Sequence, residues 1–408
     1  MSQMNYTSDR IARVPSLALS RRAGFVAVAY ALAVTMLGTT LPTPLYGLYR
    51  GRFGFSELMV TVVFAVYAAG VIAALLVAGR LSDVVGRRRV LLPGLVFSAA
   101  SALAFLLAGS LAILLVARVL SGFSAGVFTG TATATLLDLA PPDRRARATL
   151  VATAANMTGL GLGPLLAGLL SEFAGAPLQL SFWVDLALLL PAAALVWAMP
   201  EPVRVAGPLR LRVQRLRVPS EVRAVFVPAA LAVFAGFAVL GLFTAVIPSF
   251  LGQILGIDNR ATVGLVVAAV FAASTVGQTL LTRLFGPAAL VAGSGGLLVG
   301  MGMLALGLAL ALLPLVVVAG LIAGSGHGLS FRAGLAAVNG ASEAAHRAEV
   351  ASTFFVVAYV AISLPVVGVG VFASFAGLRA AGLVFAALVA ALAAVVLVLD
   401  TCRKEHSQ

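Results

Sequence analysis

Charge is scarce in this chain, and cysteine almost absent. Of 408 residues only 10% are charged, where soluble globular chains carry about 25%. The one cysteine, Cys402, lies in the polar tail, which excludes a disulfide framework and a thiolate metal site. No nucleotide-binding loop, metal-ligand cluster or nucleophile triad is legible. That argues against ATP-driven work by this chain alone and against enzyme chemistry, and no cofactor or metal is expected. The short alternating segments of a β-barrel are missing too. Acids number 14 against 27 Lys and Arg, a net charge of +13 with a pI near 11.3. The cations are scattered through short loops with no soluble domain to carry them, so nucleic acid is not an expected partner.

What the chain has is apolar length. Hydrophobic residues make up 61% and the mean hydropathy is +1.10. Apolar runs of about 20 residues, enough to span a bilayer, recur along nearly the whole sequence. A water-soluble fold cannot hide that surface, so the fold class is an all-α polytopic membrane protein whose partner is the lipid bilayer. Twelve spans are predicted at 24–46, 58–78, 90–109, 111–137, 148–171, 180–199, 224–248, 261–282, 287–306, 308–332, 349–374 and 379–399. The first is too long for a signal-peptide core of about 7–15 residues and is expected to be retained. The separations between the third and fourth spans and between the ninth and tenth are the weakest, and Arg332 is expected to end the tenth.

The arginines orient the spans. With the N-terminus inside, Arg10, Arg13, Arg21, Arg22, Arg80, Arg87–Arg89, Arg144, Arg145, Arg147, Arg204, Arg210, Arg212, Arg215, Arg217, Arg223, Arg283, Arg347, Arg403 and Lys404 are inside. Only Arg50, Arg52, Arg260 and Arg379 are outside. Both termini are therefore expected in the cytoplasm. The predicted organisation is a tail (1–23), a six-helix bundle (24–199), a basic linker (200–223), a second bundle (224–399) and a tail (400–408). The alternating basic run at 210–217 reads as an anchor on anionic lipid, with a regulatory or partner-binding role as the alternative.

The halves repeat. Ala65-Val66-Tyr67-Ala68-Ala69 matches Ala269-Val270-Phe271-Ala272-Ala273, and Pro44 matches Pro248, at an offset of 204. Gly126 matches Gly328, Arg145 matches Arg347, and Phe173-Ala174-Gly175 matches Phe375-Ala376-Gly377, at 202. Two six-helix halves related by an axis along the membrane normal are a transporter architecture with its site at their interface.

Between the second and third spans stands Gly79-x-Leu81-Ser82-Asp83-x-x-Gly86-Arg87-Arg88-x-x-Leu91. This pattern, in a twelve-span chain, resembles the loop signature of the major facilitator superfamily, with Val84 where a basic residue is usual. Physically, Gly79 permits close helix approach, and Asp83 at a helix end suits the positive N-terminus of another helix. The resemblance implies that this partner is the eleventh helix. Gly79, Asp83, Gly86, Arg87 and Arg88 would then form a latch that closes the cytoplasmic side. A plain basic turn is the alternative. In the fifth span, Gly159, Gly163, Pro164 and Gly168 resemble the antiporter signature of the drug:proton exporters, with Ala167 replacing a usual glycine. Arg118 in the fourth span is an intramembrane charge, hence a functional candidate, and its surroundings resemble the superfamily's helix-4 motif, linked to proton transfer. Snorkelling to the surface is the alternative.

Coupling to an ion gradient, protons by the resemblance, requires a titratable group, and the first span has no acid between Ala23 and Tyr46. Asp185 in the sixth span and His327 in the tenth are the candidates beside Arg118. Asp185 and Arg118 are expected at similar depth, in reach of one polar network; headgroup contact for Asp185 and plain burial for His327 are the alternatives. Tyr30, Asn156, Phe234, Phe237, Phe331, Phe354, Phe355 and Tyr359 are the cavity candidates. They suggest an aromatic site for lipophilic or cationic-amphiphilic small molecules. The expectation is a monomeric, proton-coupled exporter of a bacterial cytoplasmic membrane. An uptake symporter or facilitator is the alternative, and a non-transporting receptor or assembly protein a more distant one.

Overall fold

The computed structural model describes residues 19–78, 81–203, 216–343 and 346–405. Gly79 and Arg80 of the loop motif, the N-terminal tail to residue 18 and residues 204–215 of the basic linker lie outside the described residues. The described chain is helical, as a backbone in lipid must be when it has no water to bond. The membrane helices are α1 (Arg21–Thr40), α2 (Glu57–Ala78), α3 (Arg87–Leu106), α4 (Leu111–Leu139), α5 (Arg145–Phe173) and α6 (Leu180–Ala198). The second half follows with α7 (Ser220–Ala245), α8 (Arg260–Val276), α9 (Ala289–Leu310) and α10 (Leu313–Ala341). The last element, Arg347–Glu405, turns at Gly377 (φ +82°) and supplies α11 before it and α12 after it. Twelve crossings in two six-helix bundles result.

Most boundaries lie within a few residues of the expected ones, and the exceptions have local causes. The first span is broken by Pro42 and Pro44, which lead into a short helix, Tyr46–Phe53. Pro248 does the same after α7, in Ile247–Gln253. Both short helices stop at a left-handed glycine, Gly54 (φ +67°) and Gly256 (φ +66°). The turn between α9 and α10 sits at Ala311, itself left-handed (φ +52°), so α9 runs further than expected. Helix α10 then continues to Ala341, and Arg332 falls inside it rather than at its end.

Glycines set how closely the helices cross. A Cβ on Gly122 of α4 would collide with the Tyr67 carbonyl of α2, and one on Gly126 would lie 2.7 Å from the Val71 carbonyl. The repeat reproduces this crossing: Gly324 and Gly328 of α10 meet the carbonyls of Val270 and Ser274 on α8. The basic loops gather at one end of the bundle, here termed the basic end, and Tyr46–Phe53 and Ile247–Gln253 at the far end.

The crossing predicts a stability contrast. Gly122→Ala forces two backbones apart and should destabilise by about 1–3 kcal/mol, read as a lower midpoint of thermal unfolding in detergent. Gly302→Ala, where a Cβ meets nothing within 4 Å, should leave the midpoint unchanged or raise it.

Candidate functional site

A cavity of about 360 Å³ lies between the two halves. Its lining reaches the basic end at Leu137 and Thr149, beside the α4–α5 loop, and at Asn339 and Ala351, near the α10–α11 turn. Met36, Arg118, Thr244 and Ile362 line its deep end. The second half contributes an aromatic wall: Phe237 meets Phe331 with centroids 5.5 Å apart and Tyr359 at 6.4 Å, and Phe331 meets Phe355 at 6.1 Å. The first half contributes hydroxyls and one amide, Asn156, and the second half adds the amides of Gln278 and Asn339. Thr129 and Thr133 donate to the Ala125 and Thr129 carbonyls of their own helix; Thr129 Oγ1 also lies 3.3 Å from the Tyr359 hydroxyl, while Thr133 presents its lone pairs to the cavity. Among the described lining residues there is no Asp or Glu, and Arg118 is the charged one.

Of the eight cavity candidates, Asn156, Phe237, Phe331, Phe355 and Tyr359 line this space. The other three face elsewhere. Tyr30 donates its hydroxyl to the Leu188 carbonyl of α6 at 3.0 Å. Phe354 is fully buried between Phe226 and Phe331, with centroids 6.2 and 6.3 Å away. Phe234 packs in the same cluster around α7. Helices that are apolar on every side carry no amphipathic stripe to say which face turns inward.

Arg118 does not snorkel. It is 1% exposed, and its guanidinium donates to three backbone carbonyls: Thr39 of α1 at 2.7 Å, and Val63 and Phe64 of α2 at 3.3 Å each. The Tyr67 ring lies 4.7 Å from it and the Phe64 ring 5.6 Å, within cation–π range. A charge that would cost about 2.5–3.5 kcal/mol at a bilayer centre is thus matched by dipoles, and it ties three helices together.

Asp185 is buried as well, at 2% exposure, so it does not meet headgroups. Its carboxylate lies against Gly38 of α1, where a Cβ would come within 2.8 Å of Oδ2, and Oδ1 has no hydrogen-bond partner. The expected shared network with Arg118 is not formed by contact. Asp185 touches α1 at Gly38 while Arg118 holds the carbonyl of the next residue, Thr39, so each meets α1 rather than the other. His327 is buried in the other half. Its Nδ1 is 2.8 Å from Ser274 Oγ, which also accepts from Gln278 Nε2 at 3.1 Å. His327 Nε2 has no partner. Gln278 lines the cavity from a π-helical turn, Gly277–Leu281, a distortion frequent at functional sites.

The α5 motif serves two neighbours. Gly159 and Gly163 admit the Ala33 and Leu37 carbonyls of α1, whereas Gly168 admits the Arg260 carbonyl of α8. Pro164 presents its own carbonyl to Gly264 of α8. All of these crossings with α8 lie toward the far end, where the halves are also joined by charge. Glu172 accepts from Arg260 Nε and backbone N–H, both at 3.0 Å, and Gln253 donates to Glu57. Gly370 of α11 sits on Thr61 of α2. A second cavity, of about 440 Å³, lies here beside Tyr46 and Pro248.

At the basic end the loop motif is anchored within its own half. Gly86 is left-handed (φ +102°) and starts α3. Glu201, after α6, accepts from the backbone N–H of Arg87 at 2.7 Å and of Arg88 at 3.0 Å, capping that positive helix end. Arg87 binds Asp83 at 2.6 Å and Asp138, at the end of α4, at 2.9 Å. Arg88 donates to the Trp197 carbonyl. Asp83 pairs here with Arg87, four residues along its own loop. Neither Asp138 nor Glu201 was foreseen: single acids beside span ends reveal no partner until the helices are placed.

Glu201→Ala should therefore cost roughly 1 kcal/mol, as helix-cap losses do. Amide hydrogen exchange at Arg87 and Arg88 should rise about fivefold, with the amides of α9 unchanged.

Three similarities bear on this geometry. The fold matches the crystal structure of a bacterial homologue of the human lysosomal transporter Spinster, inward-facing and unoccupied, with a TM-score of 0.72 and 18% identity over 93% of this chain and 97% of that one. The cephamycin export protein CmcT of Amycolatopsis lactamdurans is 32% identical over 42% of this chain and 34% of its own. The putative multidrug resistance protein MdtD of Cronobacter sakazakii is 30% identical over 42% and 35% respectively. The chain spans 26% to 38% of the length of the curated relatives it matches. The sequence model of the Major Facilitator Superfamily, by contrast, matches residues 24–364, and the chain belongs to that superfamily of membrane transporters.

Proposed function

We propose that this transporter exports small apolar or amphiphilic molecules from the cytoplasm of a bacterial cell in exchange for protons. The observation that carries this reading is the cavity between the halves, aromatic on one wall, reaching the basic end and shut at the far end. With the arginine-rich end in the cytoplasm, the cavity takes its cargo from inside the cell. The α5 glycine motif and the printed functions of two relatives, cephamycin export and multidrug resistance, lean the same way. Transport then needs the opposite arrangement, in which α5 and α8 part at the far end and the latch loop meets α11 at the basic end.

Asp185 is the group we assign to proton coupling. It is a buried carboxyl with an unpartnered oxygen and no cation in contact, set against the one segment of α1 that also receives Arg118. A change of charge there acts on Gly38–Thr39, and through the Thr39 carbonyl on Arg118 at the deep end of the cavity. His327 is further from such a lever, since its bond to Ser274 lies within its own half.

The test is a toxic-compound panel in an efflux-deficient host, with and without a protonophore. Expression should lower accumulation of some compounds, and the protonophore should restore it. Asp185→Asn should abolish uphill export while leaving downhill exchange of the same compound in proteoliposomes. If no compound's accumulation changes, the export reading fails. If Asp185→Asn still exports uphill with proton dependence, the assignment of Asp185 fails.

A further inference from the structure

We infer that the cavity is built for amphiphiles that carry an acidic group, and that Arg118 receives that group. The inference rests on the export reading and narrows its substrate class. The sequence suggested lipophilic or cationic compounds; the geometry points the other way. Arg118 is buried and lines the deep end of the cavity, and no carboxylate lines it among the described residues. Its three bonds are to neutral carbonyls, so the full positive charge remains. Asp185, the buried acid among the described residues of this half, packs on Gly38 of α1 and is not hydrogen-bonded to Arg118.

Donor geometry agrees. A guanidinium has five N–H donors and three are engaged by those carbonyls, which leaves two for a carboxylate, sulfonate or phosphate oxygen. Such a fork is the side chain best matched to these anions. One face is covered by Tyr67, so the anion approaches along the guanidinium edge. The apolar body then lies on Phe237 and Phe331. At the mouth, Arg145 and Arg147 are exposed next to Thr149, but Asp143 and Glu343 are exposed at the same end, so the rim carries both signs and selection falls to Arg118. A quaternary ammonium in the same place faces Arg118 with no counter-charge, and like charges brought together this way are strongly penalised.

The test uses three probes with one apolar body: naphthalene sulfonate, naphthyl methanol and naphthylmethyl trimethylammonium. Binding to the purified full-length chain is measured by equilibrium dialysis. The sulfonate should bind at least about tenfold tighter than the ammonium, with the alcohol between them. Arg118→Lys should weaken the sulfonate and leave the alcohol unchanged. Because Arg118 also ties helices, a second variant leaves it intact. Thr133→Asp, on the hydroxyl wall, should narrow the sulfonate-to-ammonium ratio about tenfold. If the ammonium binds as well as the sulfonate, or the ratio ignores Thr133→Asp, the acidic-substrate inference is overturned while the export of amphiphiles stands. If none of the three binds, the amphiphile cavity falls and this inference with it.

Discussion

The structure turns on the backbone contact between α5 and α8. Pro164 and Gly168 meet Gly264 and the Arg260 carbonyl with no side chain between them. Helices that approach this closely make dense van der Waals contact along their lengths, the main source of cohesion between helices in lipid. The contact lies toward the far end, so the two bundles are drawn together there and the cavity reaches the opposite end. The Glu172–Arg260 pair and the seat of Gly370 on Thr61 lie on the same side. Pro164 helps directly: its nitrogen makes no i−4 bond, which frees a carbonyl one turn earlier where α5 serves both α1 and α8.

A second constraint sits at α1. Gly38 has no side chain, which is what lets the Asp185 carboxylate lie against the helix, and Thr39 gives its carbonyl to Arg118. One turn of α1 therefore joins an acid of α6 to a cation of α4 without the two touching. Of the buried charges described in the first half, Arg118 and Asp185 meet this turn while Arg87 lies at the basic end, and among the described residues of the second half no such pair of charges is buried. The second half holds a hydrogen-bonded relay instead, His327–Ser274–Gln278, at a π-helical turn. The same asymmetry marks the basic end, where the charged loop of the first half is tied to Asp138 and Glu201, and the corresponding turn at Gly286 carries neither acid.

Sequence alone carried the fold a long way, because spans, repeat and glycines are local signals. The crossing glycines Gly122 and Gly126 recur as Gly324 and Gly328, and the breaks at Pro44 and Pro248 recur in the same way. Facing was not legible. Tyr30, Phe234 and Phe354 belong to helices apolar on all sides, and nothing in such a helix separates a cavity face from a packing face. Long-range pairing was hidden for a related reason: Glu201 caps a helix more than a hundred residues before it. The charge of the cavity was also out of sight, since it depends on Arg118 lining it and Asp185 not.

For transport to occur, the far-end contact must open. A Cβ on Gly370 would lie 3.1 Å from the Thr61 Cβ, a few tenths of an ångström inside the about 3.5–4.5 Å a disulfide spans, so a small outward shift seats the pair. Thr61→Cys with Gly370→Cys, in a chain whose own Cys402 is changed to Ser, can therefore lock the far end shut on oxidation. The account predicts that oxidised proteoliposomes stop transporting and that a reductant restores them. Full transport with the disulfide formed would contradict it.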